Sequence, residues 1–348
     1  MVRNPHDPAC RQPSVYPQSP VREPPPSEVP AGSSGLRPQT THTTRLAPSP
    51  TGSLHLGNAF AFVLNWAMAR KRGWRVVLRI EDLDESRVHE GMAQQAIDTL
   101  RWLGLDWDDE PIIQTQRMEA YHAAMQALAG RKCIYPCELS RREIEEALSA
   151  PHASPTDAAL HAPIRPETFP DRFDTPATSW RFAVQPGAVE FTDQLMGPQR
   201  FDPNGLGGDF IVWTKRQAPS YQLAVVIDDH DAGVTQVVRG RDLLDSAARQ
   251  LLLYRAIGLG PEPVYTHLPL VLGHDGRRLA KRDQDTHIAS YSQQGGPERV
   301  IGLIAKWAGV VPEATPMTIS AFLDAFDPDT LPTDDLVFSK EDARWLRS

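Results

Sequence analysis

From Thr44 onward, apolar and polar positions alternate in ways that predict strands and helices in turn. Thr44-Arg45-Leu46-Ala47 is a short strand running into the turn-rich Pro48-Ser49-Pro50-Thr51-Gly52. Asn58 to Lys71 carries Phe62, Trp66 and Ala69 at helical spacing, and Gly73 stops that helix. Arg75 to Ile80 (RVVLRI) is a compact β-branched run of the kind a buried parallel strand shows. Gly91 to Leu103 repeats Met92, Ala96, Ile97, Leu100 and Leu103, the stripe of an amphipathic helix. Strand, helix, strand, helix in this order predicts a parallel βαβ unit with a right-handed crossover.

The pattern loosens between Pro111 and about Gly208. Helices are expected at Gln116 to Ala129 and Ser140 to Ala150, then a Pro- and His-containing stretch, then short strand-like runs such as Trp180 to Val184. Alternation then resumes. Tyr221 to Ile227 (YQLAVVI) and Val234 to Val238 read as strands, Asp242 to Ile257 as a long helix, and Leu268 to Leu272 as another strand. Helices follow around Pro297 to Ala308 and Ile319 to Phe326. The expected fold class is α/β: a doubly wound parallel sheet whose halves, 43–110 and 209–275, flank an inserted domain, 111–208. Residues 276–348 form a loop and a small helical region. Residues 1–42 are rich in Pro, Ser and Thr, with Pro24 to Pro26 in a row, and are expected to be a disordered tail.

Composition narrows the classes. Hydrophobic residues make up 41% and charged residues 23% of the 348, as in an ordinary globular protein. No run approaches the roughly 18 apolar residues of a membrane span, and no secretory signal pattern opens the chain. With only Cys10, Cys133 and Cys137, a disulfide framework is unfavoured, which fits a reducing compartment, so the expectation is a cytoplasmic protein. A monomer is expected as well, although nothing in the composition bears on oligomeric state. A net charge of -8 disfavours indiscriminate nucleic-acid binding. It leaves room for local basic patches, because salt confines their field to about 10 Å. Arg70-Lys71-Arg72, Arg141-Arg142, Lys215-Arg216 and Arg277 to Arg282 are such runs, though each alone reads as a solvated face.

Two segments carry chemistry. Pro48 to Asn58 joins a strand to a helix N-terminus, where backbone N–H groups favour anions. Within it, Gly57 would admit a phosphate close to the chain, and His55 can donate to one. Far along the chain, the Gly273-His-Asp-Gly276 turn delivers Arg277-Arg278-Leu279-Ala280-Lys281-Arg282, cations suited to a leaving pyrophosphate. In order, these resemble the HIGH and KMSKS motifs of class I aminoacyl-tRNA synthetases. Arg79-Ile80-Glu81-Asp82-Leu83-Asp84, Asp209 to Trp213, Tyr221 to Asp229 and Val238 to Leu244 are similar to the glutamyl and glutaminyl branch of that family.

The resemblance spans about residues 43 to 285. It implies a glutamate pocket from Arg45, Leu46, Ala47, Pro48, Ser49, Glu81, Tyr221 and Arg239. The guanidinium groups of Arg45 and Arg239 suit a carboxylate, and Glu81 suits the substrate ammonium. The alternative for both arginines is a buried ion pair with Glu81 or Asp82. It further implies an ATP site at His55, Gly57, Asn58 and Lys281, with Mg²⁺ accompanying ATP and with His55 and Lys281 acting in catalysis. Arg278 stands where Lys is usual, and Ala280 where Ser is usual.

Short members often carry a Cys-x-Cys pair and a later Tyr-x3-Cys. Here only Cys137 of the first pair remains, so the expectation is no zinc; the alternative is a site from Cys133, Cys137 and His152 or His161. With only Asp283 to Ser348 beyond the loop, the chain resembles the short members that attach L-glutamate to the queuosine at the wobble position of tRNA(Asp). The alternatives are a minimal synthetase charging a tRNA 3′ end, and a synthetase-like binding protein without catalysis.

Overall fold

A computed structural model describes residues 42–52, 54–84, 91–138, 165–202, 205, 207–274, 276–277, 279, 286–293 and 295–347. The expected disordered tail and the expected helix at Ser140 to Ala150 lie outside the described residues.

The first half follows the sequence pattern closely. β1 (Thr43–Leu46) leads to α1 (Leu56–Arg72), β2 (Arg75–Ile80) and α2 (Met92–Trp102). Gly73 ends α1 in the left-handed region at φ 67°, donating its backbone N–H back to the helix, a conformation that a side chain would strain. β1 pairs with β2 in parallel, Arg45 opposite Val77, and β2 pairs in parallel with the short β3 (Ile112–Ile113).

α3 (Met118–Gly130) precedes β4 (Ile134–Cys137), which pairs antiparallel with β5 (Ser179–Phe182). A hairpin follows, β6 (Val189–Asp193) with β7 (Gly197–Phe201), and then β8 (Phe210–Trp213), which returns to β5. So β4, β5 and β8 make a separate antiparallel sheet, whereas β6 pairs with a strand of the second half.

Tyr221 to Ile227 is a correction. It is not a strand but the body of α4 (Tyr221–Asp231), capped by the Ser220 side chain, which accepts from Leu223 N. The continuous apolar run fits a buried helix because Leu223, Ala224, Val225 and Val226 are all essentially inaccessible, so no polar face marks the helical period.

β9 (Gln236–Gly240), α5 (Leu244–Ile257) and β10 (Val264–Leu268) complete the second half, with β10 parallel to both β9 and β6. The strand expected over Leu268 to Leu272 is broken at Pro269-Leu270; its second part, β11 (Val271–Leu272), later pairs with β12. Next come α6 (Ile288–Ser292), α7 (Glu298–Trp307), α8 (Ile319–Ala325), β12 (Leu336–Val337) and α9 (Lys340–Arg347).

β1 lies beside β9, where Thr235 N donates to Thr43 O at 2.9 Å and α1 packs across both. The two parallel groups thus meet at β1 and β9, so that strand ends of both halves face a common site.

Candidate active site

His55 occupies the N-cap of α1. Its Nδ1 accepts from Asn58 N at 3.3 Å, and Asn58 Oδ1 accepts from His55 N at 3.0 Å, a reciprocal box that satisfies two donors the helix cannot. Because Nδ1 accepts, a neutral ring carries its proton on Nε2, the donor a phosphate needs. The capping and the phosphate-donor readings of His55 are therefore compatible. Gly57 has a local reason to be glycine: a Cβ there would sit 3.1 Å from His55 Cε1 and Nδ1. His55 also forms a bridge with His287, and Ile288 N donates to Leu54 O, so the chain returns to this loop just before α6. Arg277 precedes that return, while Arg278, Ala280 and Lys281 lie outside the described residues.

Where the chain leaves β1 toward His55, Leu46 and Pro48 are buried, and Pro48 O accepts from Glu81 N at 3.1 Å. Ser49 Oγ donates to Glu81 Oε2 at 3.2 Å, and Arg79 Nη2 donates to Glu81 Oε1 at 3.1 Å. Arg45 is buried, but neither Glu81 nor Asp82 is its partner. Its Nε donates to Asp229 at 3.2 Å and its Nη1 to Val238 O at 3.3 Å. Arg79 Nη1 reaches the same carboxylate at 2.5 Å. Burial works against the charge of Asp229, and the Arg79 and Arg45 guanidiniums outweigh it, holding the carboxyl below the usual range.

Arg239 is held differently. Its Nε donates to His267 Nε2 at 3.0 Å, its Nη2 to Leu243 O at 3.1 Å, and its Cζ lies 5.3 Å over the Tyr265 ring. Its Nη1 is buried and finds no hydrogen-bond partner among the described residues. Tyr221 stands at the first turn of α4 among these charges. Burial pushes its hydroxyl up, with Arg239 opposing, Glu81 adding to the shift, and Arg45 and Arg79 opposing. The structure therefore brings Arg45, Glu81, Tyr221 and Arg239 into one polar cluster beside Leu46 to Ser49.

The catalytic domain of class I tRNA synthetases for Glu and Gln matches residues 41–321. The chain belongs to that family. It is 43% identical over 302 residues to a protein named glutamyl-Q tRNA(Asp) synthetase in Symbiobacterium thermophilum, covering 83% of this chain and 93% of that one. A glutamate–tRNA ligase of a Synechococcus strain is 40% identical over 256 residues, which are 72% of this chain but 53% of that one. In fold, the chain is similar to a crystal structure of a glutamate tRNA ligase from Elizabethkingia meningosepticum. The TM-score is 0.69 at 23% identity, covering 88% of this chain and 68% of that one. This synthetase chain is thus a ligase-type enzyme of the class I fold, in the glutamyl-Q tRNA(Asp) synthetase group.

Sequence reasoning missed several residues of the cluster. Asp229 and Asp228 were visible only as the end of a motif, yet both are buried carboxylates on α4. Asp228 accepts from Gln114, Arg117 and Tyr121 and so ties α4 to the start of α3. Arg79 bridges Asp229 and Glu81. His267 and Asp193 carried no motif signal at all.

The basic run at the end of α1 is committed to internal partners. Arg70 pairs with Asp106 and Asp108, Arg72 with Asp329, and Lys71 donates to Asp324 O. Among the described residues no cluster of three or more His, Cys, Asp or Glu side chains offers a metal site. Cys133 and Cys137 are half-buried thiols, and His152 and His161 lie outside the described residues. No helix among the described residues is long and apolar enough to cross a membrane.

Proposed function

We propose that this synthetase activates L-glutamate with ATP, without tRNA, and transfers it to queuosine at the wobble position of tRNA(Asp). The observation that carries the glutamate assignment is the buried Arg239 Nη1, a charged donor with no partner among the described residues. A substrate carboxylate satisfies it, whereas an apolar substrate would leave it buried and unpaired. Glu81, steadied by Arg79 and Ser49, offers an acceptor for the substrate ammonium. Tyr221 adds a phenolic hydroxyl in its neutral form.

Activation is then in-line attack of the substrate α-carboxylate on the α-phosphate, giving glutamyl-adenylate and pyrophosphate. Positioning and charge supply the catalysis: His55 Nε2–H donates to phosphate oxygen, and Lys281 offsets charge as pyrophosphate leaves. Mg²⁺ arrives with ATP, whose phosphates are its natural ligands. The tRNA(Asp) step is supported by the relatives named glutamyl-Q tRNA(Asp) synthetase, to which the chain is 43% identical over 302 residues in one case and 44% over 284 in another. The proposed setting is the cytoplasm, and the proposed zinc content is none.

The test is glutamate-dependent ATP–pyrophosphate exchange without tRNA, followed by transfer of labelled glutamate to tRNA(Asp) with and without queuosine. Exchange without tRNA and transfer only to the queuosine-bearing tRNA are expected. Lys281→Ala should lower the exchange rate at saturating substrates rather than glutamate affinity. Exchange that requires tRNA would overturn the activation reading, and labelling of the 3′ end would replace the queuosine reading.

A further inference from the structure

We propose that Asp193 and His267 form a positioning relay that holds Arg239 in place while leaving its positive charge for the substrate carboxylate. The inference rests on the glutamate reading above and extends it to residues outside the cluster.

The relay crosses three adjacent strands. Arg239 on β9 sits opposite His267 on β10, and Asp193 ends β6 opposite Tyr265 of the same β10. His267 Nδ1 lies 2.6 Å from Asp193 Oδ2, while His267 Nε2 accepts from Arg239 Nε at 3.0 Å. An arginine nitrogen can only donate, so Nε2 must be the acceptor and the ring proton sits on Nδ1, facing Asp193. Asp193 is fixed in turn by the backbone N–H groups of Leu195, Met196 and His267. The Tyr265 ring is nearly parallel to that of His267 and lies beneath the Arg239 guanidinium, which removes the remaining freedom of both. Asp193 and His267 are at most 1% exposed.

The choice of partner matters. A carboxylate at the position of His267 would fix Arg239 equally well and also neutralise it. A neutral imidazole supplies the acceptor and no charge, and the anion that orients the imidazole is one ring further from the guanidinium. Burial disfavours a second, charging proton on His267, and Arg239 adds to that effect, although the Asp193 hydrogen bond opposes it. With Nε and Nη2 committed, Nη1 remains as the buried donor for an incoming carboxylate oxygen.

The competing account is a staple that merely joins three strands. Steady-state exchange on the full chain separates the two. His267→Ala and Asp193→Asn should each raise the KM for glutamate about tenfold, the scale seen when an outer hydrogen bond orienting a ligand group is lost. The KM for ATP and kcat should stay within about twofold, and discrimination against L-glutamine should weaken. His267→Gln, whose amide oxygen can accept from Arg239, should recover part of the loss. Folded variants with an unchanged glutamate KM would overturn the relay, as would parallel losses in glutamate KM, ATP KM and kcat. Arg239→Ala runs alongside. If it too leaves glutamate KM unmoved, the glutamate reading itself has failed; if it alone moves KM, only the relay has.

Should the variants fail to fold, the unmodified protein decides. With ¹⁵N-labelled histidine, the His267 ring should show the Nδ1–H tautomer and shift on adding glutamate but not ATP alone. A ring unmoved by saturating glutamate would overturn the relay.

Discussion

Arg45 and Arg239 are both buried, both sit near Tyr221, and are held in opposite ways. Arg45 lies against a carboxylate that it shares with Arg79, so its charge is already answered within the protein. Arg239 lies against an imidazole and makes no direct ion pair among the described residues, so the Asp229 carboxylate meets its charge only from further away. On the proposed function, two arginines that the sequence marks as equal carboxylate readers divide the work. Arg45 bonds through Nε and Nη1 to α4 and β9, which makes it chiefly a brace joining β1 to the second half. The fork of Arg239 is fixed on two sides and open on the third.

The largest test removes each in turn. Arg45→Ala leaves Asp229 buried with one guanidinium fewer, and breaking a buried pair costs about 3–5 kcal/mol of folding stability. Arg239→Ala breaks no direct ion pair, so it should cost less stability and instead weaken glutamate binding by about 2–4 kcal/mol. Chemical unfolding and exchange kinetics on both variants check this. If Arg45→Ala unfolds like the unmodified protein while its glutamate KM rises as far as that of Arg239→Ala, the division between brace and reader is wrong.

How far this contrast was legible in the sequence depends on distance along the chain. β1, α1, β2 and α2 were legible because each has an open face or a clear stop, such as Gly73. α4 was not, because a helix buried on all sides shows no period; the useful signal was local, Ser220 three residues before Leu223. The residues proposed for the glutamate pocket were reached through motifs, and the structure gathers Arg45, Glu81, Tyr221 and Arg239 into one cluster. Their partners were not reached. Asp193 and His267 stand 74 residues apart and meet only through strand order. Arg70 and Arg72 read as a basic patch because Asp106, Asp108 and Asp329, which engage them, lie remote in the sequence.

A smaller effect concerns the proposed phosphate end of the site, at the His55 cap of α1. Gly57→Ala puts a methyl group 3.1 Å from two atoms of the His55 ring, tight enough to push the ring from its capping position. Losing an N-cap costs about 1–2 kcal/mol. Thermal unfolding should register that loss, and the KM for ATP should rise while that for glutamate holds. A variant with the original stability and ATP KM would show that the ring has room to move.

The smallest effect is one of pH, and it separates the two sides of the cluster without any change near the substrate. His267 has its proton affinity lowered below the usual 6.5 by burial and by Arg239, against the pull of Asp193. As pH falls through about 6.5, the unfolded chain takes up a proton that the folded protein resists. Stability contributed by the neutral ring is therefore present above that range and lost as pH drops, at no more than about 1.4 kcal/mol per pH unit. Asp193 and Asp229 also have lowered values, but their ordinary range is near 3.8, so their contributions are lost in a separate and more acidic window. Between about pH 7.5 and 5 the Arg45 side should thus be silent while the Arg239 side responds. Chemical unfolding across that interval should show His267→Gln with a flatter pH dependence than the unmodified protein, the two diverging toward the acidic end. Parallel curves would mean that folding leaves the proton affinity of His267 unchanged, and a stability that instead rises relative to His267→Gln as pH falls would mean that the folded ring takes up a second proton, which would make it a donor facing Arg239 and remove the reason for calling Arg239 the open charge.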